Sequence, residues 1–154
     1  MTPFFDLIVE AEGWPSEDEL RQLCADAIDA VNRELNVEKS NPFCLLFTDD
    51  GALKDLNSRF RDRQTSTNVL SFSANVDDDS YLGDIALAQE TVFREAQETS
   101  IQVTHHIAHL VMHGFLHLQG YDHQTEAEAE QMEAIERKAL QHIGIADPYQ
   151  GDQQ

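Results

Sequence analysis

Three histidines in one short stretch have the spacing of a metal site. His113 and His117 stand four apart in HGFLHLQGYDH, residues 113–123. On a helix that places them about 40° apart in rotation and roughly 6 Å apart along the axis, close enough to share one ion. Three residues past His117, Gly120 can end the helix by taking a positive φ at no steric cost, and the chain can then fold back to bring His123 to the same point. Three neutral imidazoles suit Zn²⁺, and three protein ligands leave a fourth position for water, as in catalytic sites. The expectation is one zinc ion per chain on His113, His117 and His123.

The pattern His-x-x-x-His-x-x-Gly-x-x-His matches zincin-type proteases in spacing, but Gly114 stands where those enzymes carry the Glu that acts as general base. A zinc metallopeptidase is therefore the weaker reading of the same ligands. His105, His106 and His109 lie upstream at helical spacing and read as surface histidines or as groups that back up the ligands. Asp122, just before the third His, and Asp84, in Leu-Gly-Asp, are candidates to orient a ligand or act as a base, since a metal-bound His usually donates its other N–H to a carboxylate or carbonyl. Capping a turn or fixing a strand end explains either aspartate equally well.

Residues 113–123 resemble the signature of the YbeY family of bacterial endoribonucleases. LNSRFRDRQTSTNVLSF at 56–72, YLGDIALA at 81–88 and ADPY at 146–149 extend the likeness over nearly the whole chain. The resemblance implies zinc on His113, His117 and His123, and a functional arginine at Arg61, so that these four residues carry catalysis. It implies a single-strand-specific, zinc-dependent endoribonuclease acting in 16S ribosomal RNA 3′-end maturation and ribosome quality control. The implied partners are ribosomal RNA, the ribosome and ribosome-associated proteins, with no DNA. Thr65 and Ser66 replace a basic-Pro pair common in the family before Thr67-Asn68, which thins the basic patch. A non-catalytic ribosome-assembly factor with a structural zinc is the alternative from another class.

Composition sets the frame for these residues. A chain of 154 residues, 41% apolar, is enough for one domain over 1–154 with one core, its polar tail at 147–154 frayed. Asp6 and Glu10 interrupt the apolar start, and no apolar run approaches the ~20 residues of a membrane helix. A cytoplasmic protein with no membrane partner is expected. Cys24 and Cys44 read as small buried residues of a reducing compartment, not as a bridge. The net charge of −19 argues against nonspecific binding to nucleic acid, which draws on Lys and Arg. Yet Arg59, Arg61 and Arg63 cluster within five residues, while acid collects at 77–79 and along 126–136, where it reads as solvated helix surface. A local basic spot on an acidic body would need a structured target to bring RNA to it.

The elements that must position these residues read as α+β: a small mixed β-sheet packed with about five helices, the zinc held on the central His-bearing helix and the turn after it. Strands are expected at Phe4 to Glu10, Phe43 to Thr48, Val69 to Ser73 and Leu82 to Ala88, the last two antiparallel. Ser16 with Glu19 and Thr125 with Glu128 form capping boxes that open two amphipathic helices. Asp49-Asp50-Gly51 opens another, carrying Leu53, Leu56 and Phe60 inward, with the arginines at its end. A weakly apolar helix from Gln89, anchored by Val92, Phe93 and Ala96, leads into the metal helix, where Ile107, Leu110, Val111 and Leu118 face away from the ion.

Overall fold

The computed structural model describes residues 5–37, 41–61, 68–73, 81–122 and 124–146, and the side chains at 59–61 lie outside that description. In chain order the elements are β1 (Phe5–Val9), α1 (Glu17–Leu35), β2 (Phe43–Thr48), α2 (Asp50–Arg61), β3 (Val69–Ser73), β4 (Gly83–Ala88), α3 (Gln89–Glu98), α4 (Val103–Leu118) and α5 (Glu126–His142). The strands form one mixed sheet in the order β1-β2-β4-β3. The β1–β2 and β2–β4 pairs are parallel, while β3 runs antiparallel to β4 as expected, with Ser71 opposite Ile85. Phe4, Phe60, the acidic run at 77–79 and the tail from Asp147 lie outside the described residues or side chains.

Strand periodicity sorts the sheet into two faces, because successive side chains point to opposite sides. Phe43, Leu45 and Phe47 of β2, with Ile85 and Leu87 of β4, join the larger core, which also holds Leu20, Cys24 and Ile28 of α1 and Ile107, Val111 and Phe115 of α4. The alternate residues Leu70, Ala86 and Ala88 meet Leu53 of α2 in a second, smaller core. The sheet therefore lies between α2 on one face and α1 and α4 on the other. Central β2 is enclosed on both faces, which accounts for its continuous apolar run.

Local chemistry fixes the helix ends. Thr125 and Glu128 close a capping box on both sides, and Ser16 accepts the Glu19 N–H at 3.2 Å. Asp49 caps α2 by accepting the Ala52 N–H at 2.8 Å, while Asp50 takes the Thr91 N–H at 3.1 Å and the Thr91 hydroxyl at 2.8 Å, tying the start of α2 to the start of α3. Trp14 donates Nε1–H to the Thr48 carbonyl at 3.2 Å and meets Phe47 and Phe93 edge-on, its ring centroid 5.0 and 5.7 Å from theirs. Buried α4 packs against α1, α3, α5, β3 and β4, more elements than any other helix among the described residues.

Candidate metal centre

One stripe of α4 carries its histidines. Ile107, Val111 and Phe115 are fully buried, with Leu110 and Leu118 nearly so, and those apolar neighbours turn His109, His113 and His117 onto the remaining stripe. The His113 and His117 Nε2 atoms converge to 3.1 Å, their rings nearly perpendicular at 81° with centroids 4.6 Å apart. Two nitrogens bound to one tetrahedral Zn²⁺ at about 2.0–2.1 Å stand roughly 3.3 Å apart, so this pair fits two ligands of a single ion.

The turn after the helix takes the expected form. Gly120 has φ +100°; the Tyr121 N–H reaches the Leu116 carbonyl at 3.0 Å and the Gly120 N–H reaches that of His117 at 3.0 Å. Together these bonds make a Schellman cap, which needs a left-handed residue at the Gly120 position. His123 lies outside the described residues. Among the described residues, no group of three or more His, Cys, Asp or Glu side chains could hold a metal ion.

A buried carboxylate stands behind the pair, at a position where the charge pattern of the sequence suggests solvated surface. Glu136 of α5 is only 1% exposed; one oxygen meets His109 Nε2 at 2.5 Å and the other meets His113 Nδ1 at 3.2 Å. Burial alone would raise its pKa, but the hydrogen bonds from His109 and His113 outweigh that cost and hold the carboxyl down to about 2. A signal for this burial exists in α5, because Glu136 falls four residues after buried Met132 and four before buried Leu140, on the stripe that faces the core. His106 is engaged separately: its Nε2 lies 2.9 Å from Glu95 Oε1, the atom that also accepts the Asn68 side-chain N–H at 2.9 Å.

The other candidates fall in different places. Asp84 accepts the Tyr81 hydroxyl at 2.5 Å. It alternates with Ile85, which contacts Gly114 of α4, so Asp84 projects from the opposite sheet face and cannot orient a ligand on α4. Asp122 is half-buried in the segment between α4 and α5. Arg61 is the last residue of α2, the helix on the far face of the sheet, and its side chain lies outside the description, as do Arg63, Thr65, Ser66 and Thr67.

Gly114 faces the sheet, away from the histidine stripe. A Cβ built there would stand 2.9 Å from Ile85 Cγ2 and 3.1 Å from Ser71 Oγ, and the Ser71 hydroxyl donates to the Gly114 carbonyl at 3.2 Å. The position that carries the catalytic Glu in zincin proteases is here a contact between helix and sheet.

Comparison with known proteins agrees with this architecture. The solution structure of TM1509 from Thermotoga maritima superposes with a TM-score of 0.60 over 91% of each chain, and at 22% identity that likeness concerns the fold alone. Proteins named endoribonuclease YbeY are much closer in sequence. The one from Maricaulis maris is 46% identical over 94% of this chain and 90% of its own length. That from Chelativorans is 47% identical over 94% and 91%, and that from Agrobacterium fabrum 43% identical over 94% of each. A family model described as endoribonuclease YbeY matches residues 9–144, from the end of β1 to the turn after α5, and the chain thus belongs to the YbeY endoribonuclease family.

Proposed function

We propose that this chain is a zinc-dependent endoribonuclease that cuts single-stranded RNA in the cytoplasm, acting on ribosomal RNA in 16S 3′-end maturation and ribosome quality control. The observation that carries the reading is the convergence of the His113 and His117 Nε2 atoms at 3.1 Å, on the helix whose following turn leads to His123. In this reading His113, His117 and His123 hold one zinc ion. Bound there, Zn²⁺ supplies Lewis acidity that lowers the pKa of water toward neutrality and polarises a phosphoryl oxygen. The Arg61 guanidinium grips two non-bridging phosphate oxygens at once and offsets charge as it develops there. Ribosomal RNA, the ribosome and ribosome-associated proteins are the partners, and a structured target of this kind compensates for the net charge of −19, which repels free RNA.

The peptidase alternative needs a base beside the scissile bond, and Gly114 cannot be exchanged for one without driving its side chain into Ile85 and Ser71. A fourth protein ligand in place of water would favour the assembly-factor alternative. The deciding experiment incubates metal-loaded protein with single-stranded ribosomal RNA and, separately, with casein. RNA cleavage that chelation abolishes, with casein intact, is the expected result. Proteolysis without RNA cleavage would establish the peptidase, and neither activity with zinc tightly bound would favour the assembly factor.

A further inference from the structure

Glu136 is buried between two histidines, and its chemistry determines which way each of them faces. An ionised carboxylate only accepts hydrogen bonds. Both imidazole nitrogens that meet it, His109 Nε2 at 2.5 Å and His113 Nδ1 at 3.2 Å, must therefore carry hydrogen. A neutral His113 protonated on Nδ1 has its lone pair on Nε2, the atom that faces His117 Nε2 at 3.1 Å. With the opposite tautomer, His113 would lose the bond to Glu136 and present an N–H where a metal ligand needs a lone pair.

We propose that Glu136 is a positioning residue of the metal centre: its carboxylate fixes His113 in the Nδ1–H tautomer with Nε2 turned toward the ion, and His109 holds the carboxylate in place by its other oxygen. The proposal rests on the reading that His113, His117 and His123 bind zinc. The three groups come from two elements, since His109 and His113 lie one turn apart on α4 while Glu136 reaches them from α5. The site is therefore completed by the packing of α5 on α4. Glu136 stands at the core stripe of α5 and is 1% exposed, so its two oxygens depend on these imidazole N–H groups, not on water, for their hydrogen bonds.

The test compares wild-type protein with Glu136→Gln and His109→Ala, all stripped of metal. Glutamine keeps the shape but offers one acceptor oxygen where two imidazole N–H groups need one each, so one of them must lose its bond or change tautomer. Zinc titration against a competing chromophoric chelator should show Glu136→Gln raising the zinc Kd by about 10–100-fold, and His109→Ala by less. Nitrogen-15 correlation spectra of the metal-free wild type should show His113 with its proton on Nδ1, and in Glu136→Gln the tautomer of His113 or of His109 should change. The wild-type spectrum is decisive even if a variant fails to fold, because His113 protonated on Nε2 would overturn the proposal outright. Wild-type zinc affinity in a folded Glu136→Gln would overturn it while leaving the three-histidine site standing. A wild-type chain that takes up no zinc would overturn the metal reading, and this proposal with it.

Discussion

Replacing Gly114 by Ala tests whether α4 is seated as closely on the sheet as its geometry requires. In an open helix the change is favourable by about 0.8–1 kcal/mol, because glycine loses more backbone freedom than alanine. Here the new methyl would meet Ile85 Cγ2 at 2.9 Å, Ser71 Oγ at 3.1 Å and Ile85 Cδ1 at 3.4 Å. Ile85 is fully buried on β4, a strand paired on both edges, and Cγ2 hangs directly from its Cβ, so the obstacle is not the loose end of a flexible side chain. Overpacking of this kind costs about 1–3 kcal/mol. Taking its upper half and subtracting the propensity gain leaves a net loss of about 1–2 kcal/mol, or roughly 2–8 °C in Tm for a chain of this length. Urea denaturation with a common slope reads the free energy directly. Combining Gly114→Ala with Ile85→Ala should cost less than the sum of the two single changes, since the second substitution removes both Cγ2 and Cδ1. A Gly114→Ala protein about 1 kcal/mol more stable than wild type, as unopposed helix propensity would make it, would refute the close contact and reopen the position to a catalytic side chain.

Replacing His113, His117 or His123 by Ala should strip the zinc as read by elemental analysis, because two remaining ligands hold the ion poorly; full zinc retention in the His123 variant would remove that residue from the ligand set. Arg61→Ala should slow single-turnover RNA cleavage by ~10²-fold or more at equal zinc loading, with Tm unchanged, and Arg61→Lys should recover only part, since an ammonium cannot grip two oxygens at once. Cleavage at the parent rate would return Arg61 to the surface. Burial pushes the Cys24 thiol from 9.0 up to about 12 against the lowering influence of Arg21. Its share of stability is therefore complete below pH 9.0 and is lost as the pH rises toward about 12. Cys24→Ala should flatten the alkaline fall of unfolding free energy in that window by up to about 1.4 kcal/mol per pH unit, and an unchanged slope would mean that the thiolate is not excluded from the core.

Much of this molecule is legible in its sequence where one physical requirement dominates. The apolar run of β2, the stripes of α1 and α4, the Thr125–Glu128 box and the left-handed Gly120 each answer a single local demand, and the structure shows all of them. The convergence of His113 and His117 follows from helical spacing alone. The parallel pairing of β1 with β2 and of β2 with β4 depends on which strands meet, and spacing carries no information on that. Asp84 is misleading for a related reason: its neighbours in sequence suggest a site, but strand alternation sends it to the α2 face, with Tyr81.

Glu136 shows how a charge pattern misleads when the hydrophobic pattern is read separately. Glu126, Glu128, Glu130, Glu133 and Glu136 make α5 look like a solvated acidic face, and for the first four, none of them buried, that is sound. Glu136 differs in one respect, since it occupies a position that the stripe of Met132, Ala139 and Leu140 assigns to the core. A buried carboxylate without partners would be protonated or would unfold the helix, so its presence there requires hydrogen-bond donors on the facing element. The facing element is α4, and the donors it presents are His109 and His113. The acid on the apolar stripe of α5 signals that donors must face it, and the structure supplies them as the i, i+4 pair His109 and His113, so the packing of α5 on α4 is a part of the candidate metal centre.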